Sequence, residues 1–238
     1  MDKRMEVFLA EIINLFADRF GNKAILRGGM ALRLLQSARL TNDLDYIFVP
    51  FKSKNDVVDD VVAALRTLDK VSVEYSLNSK CLRCLVKRDD LVAQVEIKVG
   101  MECKVKAIST SALSREHNLT ARIVNVVAYD VALANKMAAW YERRLLRDLF
   151  DIHILLNMGI VPDKVTLAKR LKKPNFARNV KEKADDRGLE SFYKFLRKQV
   201  EALEESDLRQ QLSGILPDAE LLGLDLKIKN SILNKITF

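Results

Sequence analysis

Residues 26–48 read LRGGMALRLLQSARLTNDLDYIF, and the fold depends on this stretch. Asp43 and Asp45 interrupt an apolar run that otherwise has the character of a strand. Aspartate is a poor strand former, and a buried carboxylate without a partner is costly. Because alternate residues of a strand share a face, the two side chains are predicted to project side by side. Carboxylates that close repel each other unless a cation compensates them.

The two aspartates therefore predict a divalent metal site. Hard oxygen ligands without Cys or His favour Mg²⁺ or Mn²⁺ over zinc. Two acids one strand step apart are typical of the metal sites that catalyse phosphoryl and nucleotidyl transfer. Taken alone, the DLD triplet is common and is also consistent with an exposed strand end or a pair of caps.

The glycine pair upstream predicts a phosphate site. Gly28 and Gly29 lie where a short strand, AILRG, meets a helix, GMALRLLQ. The start of a helix presents free backbone N–H groups and the positive end of its dipole, and glycine lets a phosphate approach closely. A tight turn without a ligand is the alternative interpretation.

Glu96 is the candidate for a third acid. In LVAQVEIKV, residues 91–99, the odd-numbered positions are apolar and share one face, whereas Gln94, Glu96 and Lys98 share the other. Glu96 could complete the metal site from a neighbouring strand. It could equally be a solvent-facing residue of a half-buried strand.

Hydrophobic periodicity predicts an α+β fold, with a mixed sheet and helices followed by a helical bundle. Residues 4–20 and 55–68 are predicted helices, the first ending at Gly21 and the second capped by Asn55. Alternating apolar residues predict further strands at 43–49, 71–77, 80–88, 91–99 and 121–128.

From Tyr129 onward the pattern is helical, and glycines and prolines predict its breaks. The predicted breaks lie near residues 159–162, Pro174, Gly188 and 216–217. We therefore predict an α/β domain at residues 1–125 and a helical bundle domain at residues 126–238.

Composition indicates a globular chain of 238 residues, with 49% hydrophobic and 30% charged residues. Apolar runs fall short of the roughly 20 residues of a membrane helix, and the N-terminus lacks signal-peptide features, so we expect no membrane association and a cytoplasmic location. Three cysteines, Cys81, Cys84 and Cys103, argue against a disulfide framework, and CLRC has no second half-site for zinc.

The formal net charge of +8 favours an anionic partner such as nucleic acid or nucleotide. Residues 160–238 contain 16 Lys and Arg against 12 Asp and Glu, a net charge of +4. Half of the net positive charge of +8 therefore lies on each side of residue 160. A solvated basic surface without a partner is the alternative.

Two motifs resemble those of the AbiEii/AbiGii toxin family, which belongs to the DNA polymerase β-type nucleotidyltransferases. The first is GGMAL followed by RLTNDLD, where the family typically has GG-T/S-AL and R-x-S-x-D-L-D. The resemblance implies that the first motif binds nucleotide. Its residues are Gly28, Gly29, Met30, Arg39, Thr41, Asp43 and Asp45.

The second motif has the pattern K-x₆-R-x₃-R-D-x₂-D, formed by Lys136, Arg143, Arg147, Asp148 and Asp151. At about 100° per residue on one helix, its three basic residues fall within roughly 40° of one another. Such a stripe could neutralise a triphosphate or an RNA backbone, while the aspartates orient the arginines or one acts as a base. The alternative is a salt-bridge ladder on a solvated helix face.

The resemblance implies an Mg²⁺- or Mn²⁺-dependent nucleotidyltransferase that moves NMP from an NTP to an acceptor, with RNA or tRNA favoured. It implies a toxin of a type IV toxin–antitoxin or abortive-infection system, with an antitoxin protein as partner. Asp43, Asp45 and Glu96 would hold metal, and Glu96 could serve as a base. Lys136 and Asp148 complete the predicted catalytic set, with Lys136 gripping the triphosphate.

Met30 departs from the family pattern, because its side chain cannot donate a hydrogen bond to phosphate as Ser or Thr would. This departure supports an alternative function, a catalytically silent nucleic-acid or protein-binding module. A third alternative is nucleotidylation of a small molecule, as in antibiotic resistance.

Overall fold

The computed structural model describes residues 3–172 and 188–236. The chain forms two compact units, Met1–Ala128 and Tyr129–Phe238. The boundary predicted after residue 125 lies within the last strand of the first unit. The α+β class is confirmed, since a mixed sheet with flanking helices occupies the first unit and helices occupy the described part of the second.

The described part of the N-terminal unit contains four α-helices and seven strands, besides two short 3₁₀ turns. The helices are α1 (Lys3–Phe20), α2 (Gly28–Arg33), α3 (Val58–Leu65) and α4 (Ser111–Glu116). The strands are β1 (Ala24–Arg27), β2 (Asp43–Phe48), β3 (Ser72–Leu77), β4 (Leu82–Arg88), β5 (Leu91–Val99), β6 (Val105–Ser109) and β7 (Ile123–Val127).

The seven strands form one sheet in the order β3-β4-β5-β2-β1-β7-β6. The β2 strand is antiparallel to β1 and parallel to β5, so it lies in the middle of the sheet. One face of β2 is apolar and buried, and Tyr46 and Phe48 pack against Phe16 of α1 with ring centres 4.8 and 5.9 Å apart. The aspartates of β2 are on the opposite face because strand side chains alternate.

The structure differs from the sequence prediction at two places in this unit. The predicted N-cap Asn55 is wrong: the Ser53 hydroxyl accepts a hydrogen bond from the Asn55 N–H, and Asp56 accepts one from the Ser53 N–H. This capping box forms a short 3₁₀ turn before α3. Strand β6 was not predicted, because it is a mostly exposed edge strand without the apolar alternation that marks a buried one.

The described part of the C-terminal unit contains helices only. They are α5 (Tyr129–Arg143), α6 (Leu146–Asn157), α7 (Lys164–Lys172), α8 (Leu189–Glu201), α9 (Glu205–Leu212), α10 (Asp218–Leu221) and α11 (Leu224–Lys235). The breaks predicted near residues 159–162, 188 and 216–217 are confirmed. The break predicted at Pro174 lies outside the described residues.

Three helix breaks were missed, between α5 and α6, between α8 and α9, and between α10 and α11. Arg144 adopts a left-handed conformation with φ of 56°, which ends α5. Its guanidinium carbon lies 4.7 Å from the Trp140 ring centre and 4.2 Å from that of Phe195, a cation–π arrangement that stabilises the break. Within the described ranges, no helix is both long enough and apolar enough to cross a membrane.

Candidate active site

Four charged residues form a single row across four neighbouring strands of the sheet. Arg83 of β4 is the register partner of Glu96 of β5, Glu96 is that of Asp45 of β2, and Asp45 is that of Arg27 of β1. Register partners project from the same face of a sheet, and adjacent strands are about 4.8 Å apart. Two carboxylates thus lie side by side, with an arginine on either flank.

Asp43 lies one row away on the same face, as the register partner of Gln94. Asp43 is exposed, whereas Asp45 and Glu96 are half-buried. The alternation predicted for β5 is confirmed, because its odd-numbered residues from Leu91 to Ile97 are buried and Glu96 is on the other face. We call Asp43, Asp45 and Glu96 the carboxylate triad.

The glycine pair is required by the close approach of two side chains. Gly28 has φ of 75°, and a Cβ there would collide with the Asp45 carboxylate, whose Cγ would be 3.2 Å away. A Cβ on Gly29 would collide with the guanidinium of Arg39 and lie 3.3 Å from Cβ of Thr41. The first motif is therefore packed into one cluster around the start of α2.

Arg39, Thr41 and Met30 have different surroundings within that cluster. Arg39 is only 6% exposed, and the Thr41 hydroxyl accepts a hydrogen bond from the Asp43 N–H at 3.3 Å. The Met30 side chain is completely buried in the core of the N-terminal unit. Because the side chain is completely buried, only the Met30 backbone could contact a ligand at this turn.

Glu96 is held by two neighbours on its own sheet face. Its Oε1 accepts hydrogen bonds from Arg83 Nε at 3.0 Å, Arg83 Nη2 at 2.7 Å and Gln94 Nε2 at 3.2 Å. These hydrogen bonds with Glu96 raise the pKa of the Arg83 guanidinium above its ordinary value.

Arg83 and Arg27 were not predicted as site residues from the sequence. A signal for Arg83 was present, because the two-residue turn at Asp89–Asp90 joins β4 to β5 and pairs Arg88 with Leu91. Counting back from this turn places Arg83 opposite Glu96. Arg27 could not be found in this way, since its place beside Asp45 depends on the pairing of β1 with β2.

The second motif forms a buried ion-pair network within the C-terminal unit. Lys136 Nζ lies 2.5 Å from Asp151 Oδ2 and 3.8 Å from Asp148 Oδ1. Arg143 donates from Nε and Nη2 to the two oxygens of Asp148, both at 2.7 Å. This bidentate contact raises the pKa of Arg143 above its ordinary value.

Two expectations for this motif are corrected. Its basic residues do not form a stripe on one helix, because Lys136 and Arg143 belong to α5 and Arg147, which is exposed, belongs to α6. The solvated salt-bridge ladder is also wrong, since Asp148 and Asp151 are 0% exposed. Asp148 does orient an arginine, as one of the predicted roles required.

The donor set of the carboxylate triad suits a hard divalent cation, because it consists of carboxylate oxygens on one sheet face. In the described residues the only three acidic, His or Cys side chains with ligand atoms within 4.8 Å of one another are Glu6, Glu116 and His117. The ligand oxygens of the carboxylate triad therefore do not all lie within 4.8 Å of one another, and Glu96 is hydrogen-bonded to Arg83.

The cluster around Glu6 is an ion-pair network rather than a convincing metal site. Glu6 binds Arg33 Nε at 2.6 Å and His117 Nε2 at 3.0 Å, while Arg33 Nη2 lies 3.2 Å from Glu116. A guanidinium in the centre of such a group already supplies the positive charge. Burial opposes ionisation of Glu6, but its hydrogen bonds to Arg33 and His117 outweigh burial and lower its pKa.

The fold is shared with solved structures, one of which is a nucleotidyltransferase toxin. MenT4, a nucleotidyltransferase toxin from Mycobacterium tuberculosis H37Rv, superimposes with a TM-score of 0.59 at 16% identity, over 98% of this chain and 84% of that one. JHP933 from Helicobacter pylori gives a TM-score of 0.54 at 14% identity, over 97% and 89% of the two chains. At these identities the similarity is one of fold.

The sequence model of the nucleotidyl transferase AbiEii toxin family, type IV toxin–antitoxin system, matches residues 13–228. The chain therefore belongs to the AbiEii toxin family, and it is a nucleotidyltransferase. The family recognised from the two motifs is confirmed. No curated protein sequence matches the chain.

Proposed function

We propose that the protein transfers a nucleoside monophosphate from an NTP to an RNA acceptor, with tRNA favoured, in an Mg²⁺- or Mn²⁺-dependent reaction. We further propose that it acts as the toxin of a type IV system and that an antitoxin protein opposes it. The observation that carries the proposal is the row that puts Asp45 beside Glu96, with Asp43 on the same face and Gly28 against Asp45.

The carboxylate triad would hold the divalent cation, which supplies positive charge at the triphosphate. Asp45 is well placed for this task, because its carboxylate lies close to the Gly28 backbone, where the proposed phosphate-binding turn begins. The backbone N–H groups at the start of α2 would contact phosphate. Glu96 as a base for the attacking hydroxyl stays a prediction.

The second motif is proposed to contribute Lys136, Arg143 and Arg147 to phosphate or RNA binding, on the strength of the family resemblance. Arg143 and Lys136 keep partial exposure, 35% and 16% of their side chains, although they pair with buried aspartates. A cation held by a carboxylate on one side can still present its other N–H groups to a phosphate.

The distribution of charge supports an anionic acceptor. Residues 164–198 contain 12 Lys and Arg against four Asp and Glu, whereas the remainder of the chain has 28 of each. The net charge of +8 thus belongs to this segment, which we call the basic segment. Its exposed lysines on α7 and α8 include Lys164, Lys169 and Lys194. Clustered cations favour a phosphate backbone over isolated nucleotides.

The test is incubation of the protein with Mg²⁺, each labelled NTP in turn and total tRNA. We expect label to enter RNA with one or more nucleotides. Asp45→Asn should abolish transfer, because it removes one charge from the triad and keeps the shape of the side chain. The matched control is Asp60→Asn, an equal charge change at an exposed position of α3, which should transfer normally.

The outcomes separate the functions considered above. Transfer of label to a metabolite in place of RNA would favour small-molecule nucleotidylation. Absence of both transfer and NTP binding with every nucleotide would contradict the enzyme and favour a silent binding module. Equal activity of Asp45→Asn and wild type would show that the triad is not the metal site.

A further inference from the structure

We propose that Arg83 is a positioning residue that competes with the divalent cation for Glu96. In this proposal Arg83 sets the cation concentration at which the carboxylate triad becomes occupied. When a cation binds, the Arg83 guanidinium exchanges Glu96 for solvent or for a phosphate oxygen. The inference rests on the proposed metal site and extends it to a residue outside both family motifs.

The first observation is that one oxygen of Glu96 receives all the contacts. Nε and Nη2 of Arg83 and the side-chain amide of Gln94 all donate to Oε1, at 3.0, 2.7 and 3.2 Å. A cation that uses this oxygen must displace at least one of these donors, because a carboxylate oxygen has two lone-pair directions. A cation that binds Oε1 therefore competes directly with the guanidinium.

The second observation is the position of Arg83 in the charged row. Glu96 has Asp45 on one side and Arg83 on the other. Repulsion from Asp45 pushes the Glu96 carboxylate away from β2, and attraction to Arg83 draws it toward β4. A divalent cation between Asp45 and Glu96 attracts both carboxylates and so outweighs their mutual repulsion. It therefore favours rotation of the Glu96 side chain toward Asp45.

The third observation is that the Arg83 side chain is exposed enough to release Glu96 and remain in solvent. Its side chain is 46% exposed, compared with 23% for Glu96. Exposed ion pairs are weak, so the pair can be exchanged at a modest cost. The long side chain can then place its guanidinium near a bound triphosphate, where bidentate contact with phosphate is favourable.

The experiment measures Mn²⁺ binding to the full-length protein without nucleotide, with free Mn²⁺ followed by electron paramagnetic resonance. Arg83→Gln should bind Mn²⁺ roughly two- to fivefold more tightly than wild type, the range that corresponds to loss of an exposed ion pair. Arg83→Lys should fall between the two, because it keeps the charge and loses the forked geometry. In a Glu96→Gln background, Arg83→Gln should have no effect.

Lys87→Gln is the matched control, since Lys87 is on the same strand and face, and pairs with Glu74 at 2.6 Å. It removes the same charge and should change Mn²⁺ affinity little. Equal or weaker Mn²⁺ binding by Arg83→Gln would overturn the role of Arg83, as would an equal gain from Lys87→Gln. Loss of Mn²⁺ binding in Asp45→Asn shows separately that the metal site exists, and wild-type binding that ignores Asp45 would overturn both proposals.

Discussion

Gly28 and Asp45 depend on each other sterically. The left-handed conformation of Gly28 turns the chain from β1 into α2, and its missing side chain leaves room for the Asp45 carboxylate. The sequence predicts a phosphate-binding turn at Gly28–Gly29, and in the structure Gly28 has a second role. It leaves space for a proposed metal ligand from a strand that begins 15 residues further along the chain.

Gly28→Ala is expected to lose activity as well as stability. Alanine at this φ costs about 1 kcal/mol, and the added Cβ must also displace Asp45. Misplacement of a reacting group by about 1 Å can lower the rate roughly 100-fold. Gly159→Ala is the matched control, because Gly159 has the same φ of 75° and no atom within 4 Å of the added Cβ.

Denaturant unfolding and label transfer should be measured for both variants. We expect Gly159→Ala to lose about 1 kcal/mol with normal transfer, and Gly28→Ala to lose more stability and most of its transfer. Normal label transfer by Gly28→Ala would show that transfer does not require the Asp45 carboxylate to lie against Gly28.

His153 is a buried residue that links α6 to α11. Its Nδ1 lies 2.8 Å from the Ser231 hydroxyl, and the side chain of Asn157 lies within 3.3 Å of both ring nitrogens. Burial, followed by the positive charges of Lys235 and Lys227, lowers its pKa to about 4 from an ordinary value near 6.5. The folded state therefore holds the imidazole neutral.

The low pKa of His153 predicts a loss of stability in acid. Above about pH 6.5 the imidazole is neutral in both states, and as pH falls toward 4 the unfolded chain takes up the proton first. The free energy of unfolding should therefore fall by about 2 kcal/mol over that interval, with some screening by solvent. His153→Gln should remove this part of the pH dependence, measured by urea unfolding at several pH values. An unchanged pH profile would contradict the burial of a neutral ring.

At the scale of elements, the α5–α6 corner is held by charge in its interior. Two fully buried carboxylates, Asp148 and Asp151, face Lys136 and Arg143 across the break. A buried charge that loses its partner is strongly destabilising, although an intact pair adds little over an apolar one. The second motif therefore has a structural role that does not depend on nucleotide.

Lys136→Met should destabilise the protein by about 3 kcal/mol in the absence of nucleotide, because it leaves Asp151 without its closest cation. Lys194→Met is the control, since Lys194 forms an exposed pair with Glu190 and its loss should cost about 0.5 kcal/mol or less. Thermal or urea unfolding measures both. Equal small losses would mean that the buried network is not maintained in solution, and Lys136 would then be free to serve phosphate alone.

At the scale of the whole molecule, the charge is unevenly distributed along the chain. The net positive charge is shared equally between the parts before and after residue 160. Residues 164–198 nevertheless have a net charge of +8, and the positive and negative charges of all other residues cancel. Binding to RNA through clustered cations releases counterions, so its affinity should fall steeply with salt. The proposed acceptor thus predicts a salt dependence that comes mainly from the basic segment.

The double variant Lys164→Gln, Lys169→Gln should weaken tRNA binding and lower the slope of log K against log salt by roughly 1.5, for two lost phosphate contacts. The control double variant Lys52→Gln, Lys70→Gln removes the same charge from exposed positions outside the segment and should change the slope little. Filter binding at several salt concentrations measures both. Equal slopes for the two variants would argue against the basic segment as the RNA contact.

Much of the fold and part of the site were predictable from local patterns. The alternation in LVAQVEIKV placed Glu96 on the polar face, and the spacing of DLD placed both aspartates together on theirs. Six of the seven strands were predicted, five of them from such alternation. These features depend on the two-residue period of a strand, which a sequence displays directly.

The α5–α6 break was missed for a physical reason. Arg144 adopts positive φ although it is not glycine, and its conformation is supported by aromatic rings, one of them Phe195 of α8. The sequence showed that Met30 departs from the family pattern, but it did not show that the Met30 side chain is completely buried. Contacts with residues distant in sequence decide such features, and local periodicity does not record them.

The sequence by itself determined the alternating faces of β2 and β5, the two motifs and the turn that sets Arg83 opposite Glu96. Only the tertiary structure decided that β2 lies between β1 and β5, with Asp45 between Arg27 and Glu96. Parallel pairing of β2 with β5 joins segments about 50 residues apart, so its register depends on the packing of the whole sheet. The chemistry of Asp45 could be inferred from its neighbours in sequence, but its neighbours in space required the fold.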